Sequence, residues 1–479
     1  MGAGILAVQA AVLILLVIFL RRRGFHTVPF QDFLFAGGKV PHTVLTLTSF
    51  ANWMWTTSIL GATEAGITYG LLGCVSYAVG ASFGFAMTLG LLRYGRRHYG
   101  RPFFLSDLAR DRLSRSSEYF FLGIGVLMAA YTMVQQLVGV ANVFSMLWNC
   151  SYKFFSVLLV LGAALFVLLT GMRGVLLHDL IGCFTILLTL AALLFLMIFG
   201  GEAHLFQEGL GMALTDFRTS TRGGALSSFL AGLCFYMLVM IILGVSETLL
   251  DPVFALRVNL MEDADQAVSS VRMGCIWIWT PVVVITSCVL CCVWRARMGG
   301  DLPEGLSTNL MVEVLFSGVN SFALRSLFSC LMLAIAFTTV TNSLMGVFAL
   351  MSLRGHSLVT GEEGTPESHR RFGSLFLLMF ALFCGLIVLS LDNISLFRIN
   401  IVCGIFFAAP CGILLFFRGI PIRAGRFPIL AAIVGVVVGV LVWMRVEDSQ
   451  YSLLFGAMAS FLIPAILIGF SQPLRLEHD

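Results

Sequence analysis

Two runs of hydroxyl and amide side chains occur within otherwise apolar stretches of the sequence. The first, TSFANWMWTTSILGATEAGITYG, contains Thr48, Ser49, Asn52, Thr56, Thr57, Ser58, Thr63 and Glu64. The second, AIAFTTVTNS, contains Thr338, Thr339, Thr341, Asn342 and Ser343. Hydroxyl and carbonyl oxygens are hard ligands that suit an alkali cation, and neither run has the His or Cys that indicates a transition metal. Together the runs predict an oxygen-lined cation site.

The first run is unfavourable as one continuous helix, because β-branched threonines, two tryptophans and the glycines Gly61 and Gly66 are concentrated in it. An interrupted helix exposes backbone carbonyls that can replace water around Na⁺. The alternative is that the hydroxyls donate to carbonyls of their own unbroken helix. The second run favours the interruption, since two such runs seven helices apart fit an ion site between two halves of a repeated fold.

The composition predicts the elements that hold these runs. Of 479 residues, 59% are hydrophobic and only 11% are charged, against about 25% charged in an ordinary soluble domain. A formal net charge of +4 is too small and dispersed to indicate a nucleic-acid partner. The twelve cysteines have no spacing typical of a disulfide framework or a zinc site, and we interpret them as small hydrophobic residues.

We therefore predict an all-α polytopic membrane protein embedded in the lipid bilayer. Apolar stretches long enough to cross about 30 Å of hydrocarbon recur along the chain. The thirteen predicted spans are 4–20, 43–68, 71–93, 119–147, 154–171, 176–199, 225–246, 273–294, 322–351, 373–391, 394–417, 427–444 and 452–470.

The distribution of arginine predicts the orientation of these spans. Arg21, Arg22 and Arg23 follow the first span rather than precede it, unlike a cleavable signal peptide. The positive-inside rule then places the N-terminus outside, and the odd number of spans places the C-terminus in the cytoplasm of a cell-membrane protein. Most of the remaining arginines fall on the cytoplasmic side of this arrangement. The oligomeric state is left open.

Four further polar residues lie inside or beside predicted spans. Gln135 and Gln136 are adjacent in the fourth span, so we expect at most one to reach a central cavity, and a helix-packing hydrogen bond is the alternative for either. Asp179 begins the sixth span near the membrane surface, where it either pairs with Arg173 or lines a cation exit path. Glu64 lies toward the outer end of the second span, where it either lines a vestibule or contacts the substrate.

Several segments together resemble one family, the sodium:solute symporters. These segments are QDFLFAGGKVP, FANWMW followed by LGATEAGITYGLLG, LLTGMRGVLLHD, and DPVFALR. The third departs from the family pattern at Met172 and His178, and the fourth keeps an acid and an arginine six residues apart, Asp251 and Arg257, in what we expect to be a cytoplasmic loop. The resemblance extends over about residues 28 to 350, in the order of the family.

The resemblance implies a LeuT-like fold in which the second to eleventh helices form two inverted five-helix repeats. This predicts an extra N-terminal helix over 1–27, a transport core over 28–417 and two C-terminal helices over 418–479. It also implies that Na⁺, the coupling ion and the metal expected here, binds the carbonyls of Ala51, Met54 and Ile335 and the hydroxyls of Thr338 and Thr339. Asp179 matches the acid on the family's inward sodium path. We expect no other cofactor.

The resemblance says less about the substrate. Trp53 and Trp55 resemble paired tryptophans of the urea-transporting branch, so urea or a similar small amide is one candidate. Two residues at i and i+2 of a helix face different directions, so we expect only one ring to stack on a planar solute. Ser58, Gln135 and Tyr236 complete the predicted substrate contacts.

The predicted function is therefore sodium-coupled symport of a small organic solute by alternating access. A sodium-independent facilitator and a transporter-like sensor on the same fold are the alternatives. The chain ends nine residues after the last predicted span, so we expect no signalling domain attached to it. We expect no enzymatic activity, because the sequence suggests no nucleophile and base on facing helices.

Overall fold

A computed structural model describes residues 2–22, 28–100, 102–222, 226–299, 307–317, 322–361, 364–391, 396–415, 426–445 and 452–471. Within these residues the chain is helical. The helices are α1 (Gly2–Arg22), α2 (Phe30–Phe35), α3 (His42–Trp53), α4 (Thr56–Tyr69), α5 (Leu71–Tyr99), α6 (Leu105–Arg112), α7 (Arg115–Trp148), α8 (Tyr152–Phe199), α9 (Ala203–Arg222), α10 (Leu226–Leu250), α11 (Pro252–Val258), α12 (Ala264–Arg272), α13 (Trp279–Met298), α14 (Thr308–Phe316), α15 (Phe322–Leu350), α16 (His356–Thr360), α17 (Pro366–Leu389), α18 (Leu396–Leu415), α19 (Phe427–Arg445) and α20 (Ser452–Ser471).

The all-α prediction is confirmed, and helix covers each predicted span over most of its length. By length and composition, seven of the described helices can cross a membrane, or eight if the bent pair Tyr236–Leu250 and Pro252–Val258 is one span. The count of thirteen and the three-part division of the chain therefore stay predictions. Some predicted positions lie outside the described residues: Arg23, residue 27 at the first domain boundary, residues 417 and 418 at the second, and residues 472–479.

The fifth and sixth predicted spans join in the single helix α8, which bends at Gly171. That residue has φ 60° and ψ −161°, a conformation open to glycine but not to side chains with a Cβ. A Cβ there would also lie 2.6 Å from the Phe33 ring. The bend lets the second half of α8, which includes Asp179, pack against α15.

The second span is broken near its middle, and the helix of the seventh span continues beyond its predicted end to a second break. The second divides into α3 and α4 after Trp53, and the seventh bends by 64° between α10 and α11. In α11, Pro252 occupies the first turn, and the Asp251 carboxylate accepts from the backbone amide of Val253 at 2.9 Å. Proline at the start and an acidic N-cap both favour a new helix here.

Small residues allow close packing beside the second break. Gly84 of α5 and Gly244 of α10 face the neighbouring backbone, since a Cβ on Gly84 would lie 2.2 Å from the Ile241 carbonyl oxygen and one on Gly244 would lie 2.5 Å from that of Ala81. Close approach through small residues is typical of helix pairs in membranes. Helices α7 and α15 lie against each other and against α8, so the two hydroxyl runs and the glutamines of α7 meet in the interior.

Candidate functional site

A serine hydroxyl takes a backbone hydrogen bond at the break in the second span. The amide of Trp55 donates to the Ser58 hydroxyl at 3.0 Å, whereas in a continuous helix it would donate to the carbonyl of Ala51. The amide of Ser58 donates to the Trp55 carbonyl at 3.0 Å and not to that of Met54. The Ala51 and Met54 carbonyls are thereby released from the helix pattern. Ser58, predicted to contact substrate, holds the break.

The next backbone amide, that of Thr56, donates a hydrogen bond to α7. Thr56 donates its backbone N–H to Gln136 Oε1 at 2.8 Å, and its hydroxyl lies 3.4 Å from the carbonyl oxygen of Gln135. Gln136 therefore supplies the partner that the first turn of α4 lacks. Both glutamines are completely buried, but they serve different neighbours.

The five predicted sodium ligands lie together where α15 crosses the break. The Thr338 hydroxyl is 3.4 Å from the carbonyl oxygen of Ala51, and the Thr339 hydroxyl is 3.5 Å from that of Met54. The two hydroxyls also lie 2.9 and 3.0 Å from the Ile335 carbonyl oxygen. We call these five oxygens the oxygen cluster.

The spacing of the oxygen cluster fits one cation of the size of Na⁺. Two ligands at right angles, each about 2.4 Å from a cation, are about 3.4 Å apart; that ligand distance is the one found for Ca²⁺, which is close to Na⁺ in size. All five oxygens are neutral. The Thr338 methyl packs on Gly182 of α8, where a Cβ would lie 2.4 Å from Cγ2, and this contact helps to orient the side chain.

A buried polar network lies next to the oxygen cluster. Arg257 donates from Nη2 to Asp179 Oδ2 at 2.7 Å and to Asn342 Oδ1 at 2.8 Å, and from Nη1 to the Thr48 hydroxyl at 3.0 Å. Asn342 Nδ2 is 2.9 Å from both Asp179 oxygens and 2.7 Å from the Thr338 carbonyl oxygen. The network thus joins the second, sixth and ninth spans to α11.

Two expectations about this region are wrong. Asp179 was expected near the surface, either paired with Arg173 or lining a cation exit path, but it is completely buried and pairs with Arg257. Arg173 instead lies 3.7 Å from Asp32. Asp251 and Arg257 were expected in a cytoplasmic loop, but both are buried at the second break. The prediction left this segment outside the seventh span, whereas in the fold its charges are compensated inside the protein.

The tryptophan pair has a different geometry from the one expected. The rings of Trp53 and Trp55 contact each other edge to face, with centroids 5.1 Å apart. They do not point apart, because the helix ends between them. Trp53 also packs on Phe85, Phe254 and Trp279 at 5.1 to 5.8 Å. Trp53 is therefore enclosed by aromatic neighbours.

The other two residues predicted to contact substrate, Tyr236 and Gln135, have different neighbours. Tyr236 stacks on Tyr69 at the end of α4, with ring centroids 4.9 Å apart. Gln135 donates from Nε2 to the Tyr131 hydroxyl at 2.5 Å and to Asn400 Oδ1 at 3.3 Å. Gln135 therefore belongs to a polar group shared by α7 and α18.

Sequence reasoning missed four buried residues near the breaks: Tyr131, Glu247, Arg257 in its true position, and Asn400. The predicted seventh span ends at residue 246, one residue before Glu247. The segment SETLLDP carried the signal, since an acid on each side of a leucine pair suits a broken helix as well as a helix terminus.

Toward the end of α4, Glu64 is held by α14 rather than lining an open vestibule. The Thr308 hydroxyl donates to Glu64 Oε1 at 2.5 Å and accepts from the backbone amide of Leu396 at 3.0 Å. Thr308 thereby ties α4 to the start of α18. Glu64 is 1% exposed, so this side of the site is covered in the structure.

Comparison with known families and structures gives a family match, similar solved structures and one negative result. The family model described as "Sodium:solute symporter family" matches residues 33–360. The fold is similar to that of a Na⁺-coupled sialic acid symporter in a substrate-bound outward-open state, with TM-score 0.73, 15% identity, and coverage of 99% of this chain and 97% of that one. No curated protein matches by sequence.

A second solved structure has a more distant similarity. It is Mhp1, a nucleobase-cation-symport-1 family transporter in a closed conformation with bromovinylhydantoin bound, with TM-score 0.55, 13% identity, and coverage of 92% of this chain and 95% of that one. At these identities the similarity concerns the fold alone. Both relatives span the chain almost completely, so the LeuT-like fold predicted from the sequence is confirmed.

Proposed function

The chain belongs to the sodium:solute symporter family, and we propose that it carries a small organic solute across the cell membrane together with Na⁺ bound at the oxygen cluster. Ala51, Met54 and Ile335 supply carbonyls, and Thr338 and Thr339 supply hydroxyls. The supporting observation is that the break frees two carbonyls opposite two hydroxyls, at 3.4 and 3.5 Å. Within this family, sodium is the coupling ion.

The oxygen cluster explains how an ion could bias alternating access. Its ligands come from two elements, the broken second span and α15, so one cation bound between them holds them together. When Na⁺ leaves, the same oxygens return to hydrogen bonds within their own helix, such as that from Thr338 to the Ala334 carbonyl at 3.0 Å. Na⁺ thus favours the conformation in which the two elements touch.

Asp179 is the proposed first residue that Na⁺ contacts when it leaves the oxygen cluster toward the cytoplasm. It lies one hydrogen bond from Asn342, which bonds the carbonyl of Thr338. Arg257 compensates the Asp179 charge in the structure. A passing Na⁺ competes with the guanidinium for this carboxylate, so the pair keeps the path free of a permanently trapped ion.

The orientation predicted from the arginines completes the proposal. The N-terminus lies outside and the C-terminus in the cytoplasm, so the Asp179 side of the oxygen cluster faces inward. Thr308 and Glu64 then close the outer side.

The substrate proposal from the sequence rests on the tryptophan pair. Urea or a small amide would need an open aromatic face, and Trp53 is enclosed by Phe85, Phe254 and Trp279. Trp55 is the ring left for stacking.

Uptake into proteoliposomes under an imposed sodium gradient tests the function. With a panel of small metabolites, we expect at least one solute to accumulate in Na⁺ and not when K⁺ replaces it. Thr339→Val should lose this accumulation at low sodium. Equal uptake in both salts would identify a sodium-independent facilitator instead.

A further inference from the structure

Glu247 is a buried carboxylate beside the break in the seventh span. It lies in α10, one helical turn before Asp251, where the chain bends by 64°. It is 7% exposed, and its Oε1 atom has no hydrogen-bond partner. A charge in such a place is costly unless it is neutralised or paired.

The surroundings of Glu247 contain no compensating cation among the described residues. Its charged neighbour is the Asp251 carboxylate, and the Tyr131 hydroxyl lies beside it. The Tyr77 and Cys403 side chains are also within electrostatic reach. Arg257, the guanidinium on the next helix, is engaged with Asp179. Arg257 also acts on Asp251, and no described cation acts on Glu247.

The polar atoms next to Glu247 are mainly acceptors. Tyr131 donates to Asn400 Oδ1, and Gln135 donates its Nε2 to Tyr131 and Asn400. The Tyr131 hydroxyl faces both Asn400 and Glu247, whereas Gln135 Oε1 and Glu247 Oε1 have no partner. Free acceptors at Gln135 and Glu247, beside the rings of Tyr77 and Tyr131, suit a ligand that carries positive charge and hydrogen-bond donors.

The location favours a transported solute as this ligand. The breaks of the two inverted repeats meet near the centre of the fold, where substrates of such transporters bind. Na⁺ has a separate candidate site of neutral oxygens at Thr338 and Thr339, with its own acid, Asp179.

We propose that the transported solute is a small organic cation whose positive nitrogen binds Glu247, with Gln135 as a second acceptor and the rings of Tyr77 and Tyr131 beside it. This inference rests on the proposed transport function and narrows its substrate class. A neutral amide such as urea leaves the Glu247 charge unpaired.

Two pairs of probes with matched shapes test the charge requirement. Guanidinium is compared with urea, and choline with 3,3-dimethyl-1-butanol. The measured quantity is the rise in unfolding temperature of the purified full-length protein in NaCl as each probe is titrated. We expect the cation of at least one pair to bind about 10- to 100-fold more tightly than its neutral counterpart, as for a buried charge-assisted contact. Glu247→Gln should reduce that preference below about threefold, since it keeps the shape and removes the charge.

A matched control separates this effect from damage to the fold. Glu118 is also a buried carboxylate and lies on the same helix as Tyr131, thirteen residues earlier, or about 20 Å away. Glu118→Gln should keep the cation preference. Glu247→Gln should unfold at the same temperature as the wild type or higher without probe, because it removes an unpaired buried charge.

The outcomes separate this proposal from the symport proposal. Equal binding of cation and neutral probe, no saturable binding of either cation, or an unchanged preference in Glu247→Gln would each overturn the cation assignment. Replacing NaCl by KCl addresses coupling alone: if cation binding is equally tight in both salts, sodium coupling fails while the cation assignment stands.

Discussion

Arg257 and Asp179 form an ion pair at 2.7 Å in which neither side chain is exposed. The two residues come from different repeats, α11 and the second half of α8, and Asn342 bonds both. A buried pair of this kind is strongly destabilising when one partner is removed, because the other charge stays in a medium of low polarity. The same pair therefore contributes to the stability of the fold and lies on the proposed ion path.

Replacing Arg257 by Met should destabilise the protein by about 3–5 kcal/mol, the cost of an uncompensated buried charge. The double variant Asp179→Asn with Arg257→Met should recover most of this loss. Thermal unfolding of the purified proteins measures both effects. Equal stability of the single and double variants would contradict the coupling of the two charges.

The same double variant tests the role of Asp179 in the sodium path. With stability restored, the sodium concentration for half-maximal uptake should still rise, because the carboxylate that attracts Na⁺ is absent. Uptake by proteoliposomes at graded sodium measures this. If sodium dependence is that of the wild type, the pair has a structural role only.

The variants Thr339→Val and Thr339→Ser distinguish the effect of the side-chain shape from the effect of the hydroxyl oxygen at the oxygen cluster. The Val variant deletes a ligand at a cost of about 1–3 kcal/mol, or about five- to a hundredfold in sodium affinity, so uptake should fail at low sodium and partly recover at high sodium. The Ser variant keeps the oxygen and should stay active. Thr338 should behave alike. Sodium titration of uptake checks these results, and wild-type behaviour of the Val variant would remove the ion site from α15.

Ser58→Ala tests whether the serine hydroxyl maintains the break. Without it, the Trp55 amide can return to the Ala51 carbonyl and remove that carbonyl from the oxygen cluster, so sodium affinity should fall about tenfold, as for a lost hydrogen bond of roughly 1.4 kcal/mol. Thr63→Ala is the control, because its hydroxyl donates to Ile59 within the same helix at 2.7 Å. Parallel losses in both variants would show that the effect is not specific to the break.

Gly182→Ala adds a methyl group against the Thr338 side chain without removing any oxygen. The new Cβ would lie 2.4 Å from Thr338 Cγ2, and overpacking of this kind costs about 1–3 kcal/mol. Sodium affinity should drop while the fold persists. Gly162→Ala on the same helix meets nothing within 4 Å and should leave sodium titration unchanged. A normal sodium response of Gly182→Ala would mean that the orientation of Thr338 is unimportant.

Cysteines at two exposed positions test the predicted topology. Gly201 follows α8, and Val359 lies in α16 with 70% of its surface exposed. A membrane-impermeant maleimide should label Gly201→Cys from outside and Val359→Cys only after the membrane is opened, in a background with Cys234 replaced by Ser. Labelling of both from one side would refute the alternating count between these positions.

The sequence alone determined the class of protein and predicted the chemistry of a candidate ion site. Long apolar stretches force helices in a bilayer, because backbone groups have no other partners there. Hydroxyl runs at 48–64 and 338–343 were sufficient to predict an oxygen-lined site and, with the family resemblance, its five residues. Residue type carries this information, since the cost of a buried hydroxyl is local.

Only the tertiary structure decided which charges meet. From the sequence, Arg257 was expected in a cytoplasmic loop, and Glu247 was not recognised as a site residue. In the fold Arg257 is compensated by Asp179, 78 residues earlier, while Glu247 has no described cation beside it. The tryptophans likewise meet because the backbone breaks between them. Pairing energies depend on distances in space, and these distances exist only once the two repeats pack together.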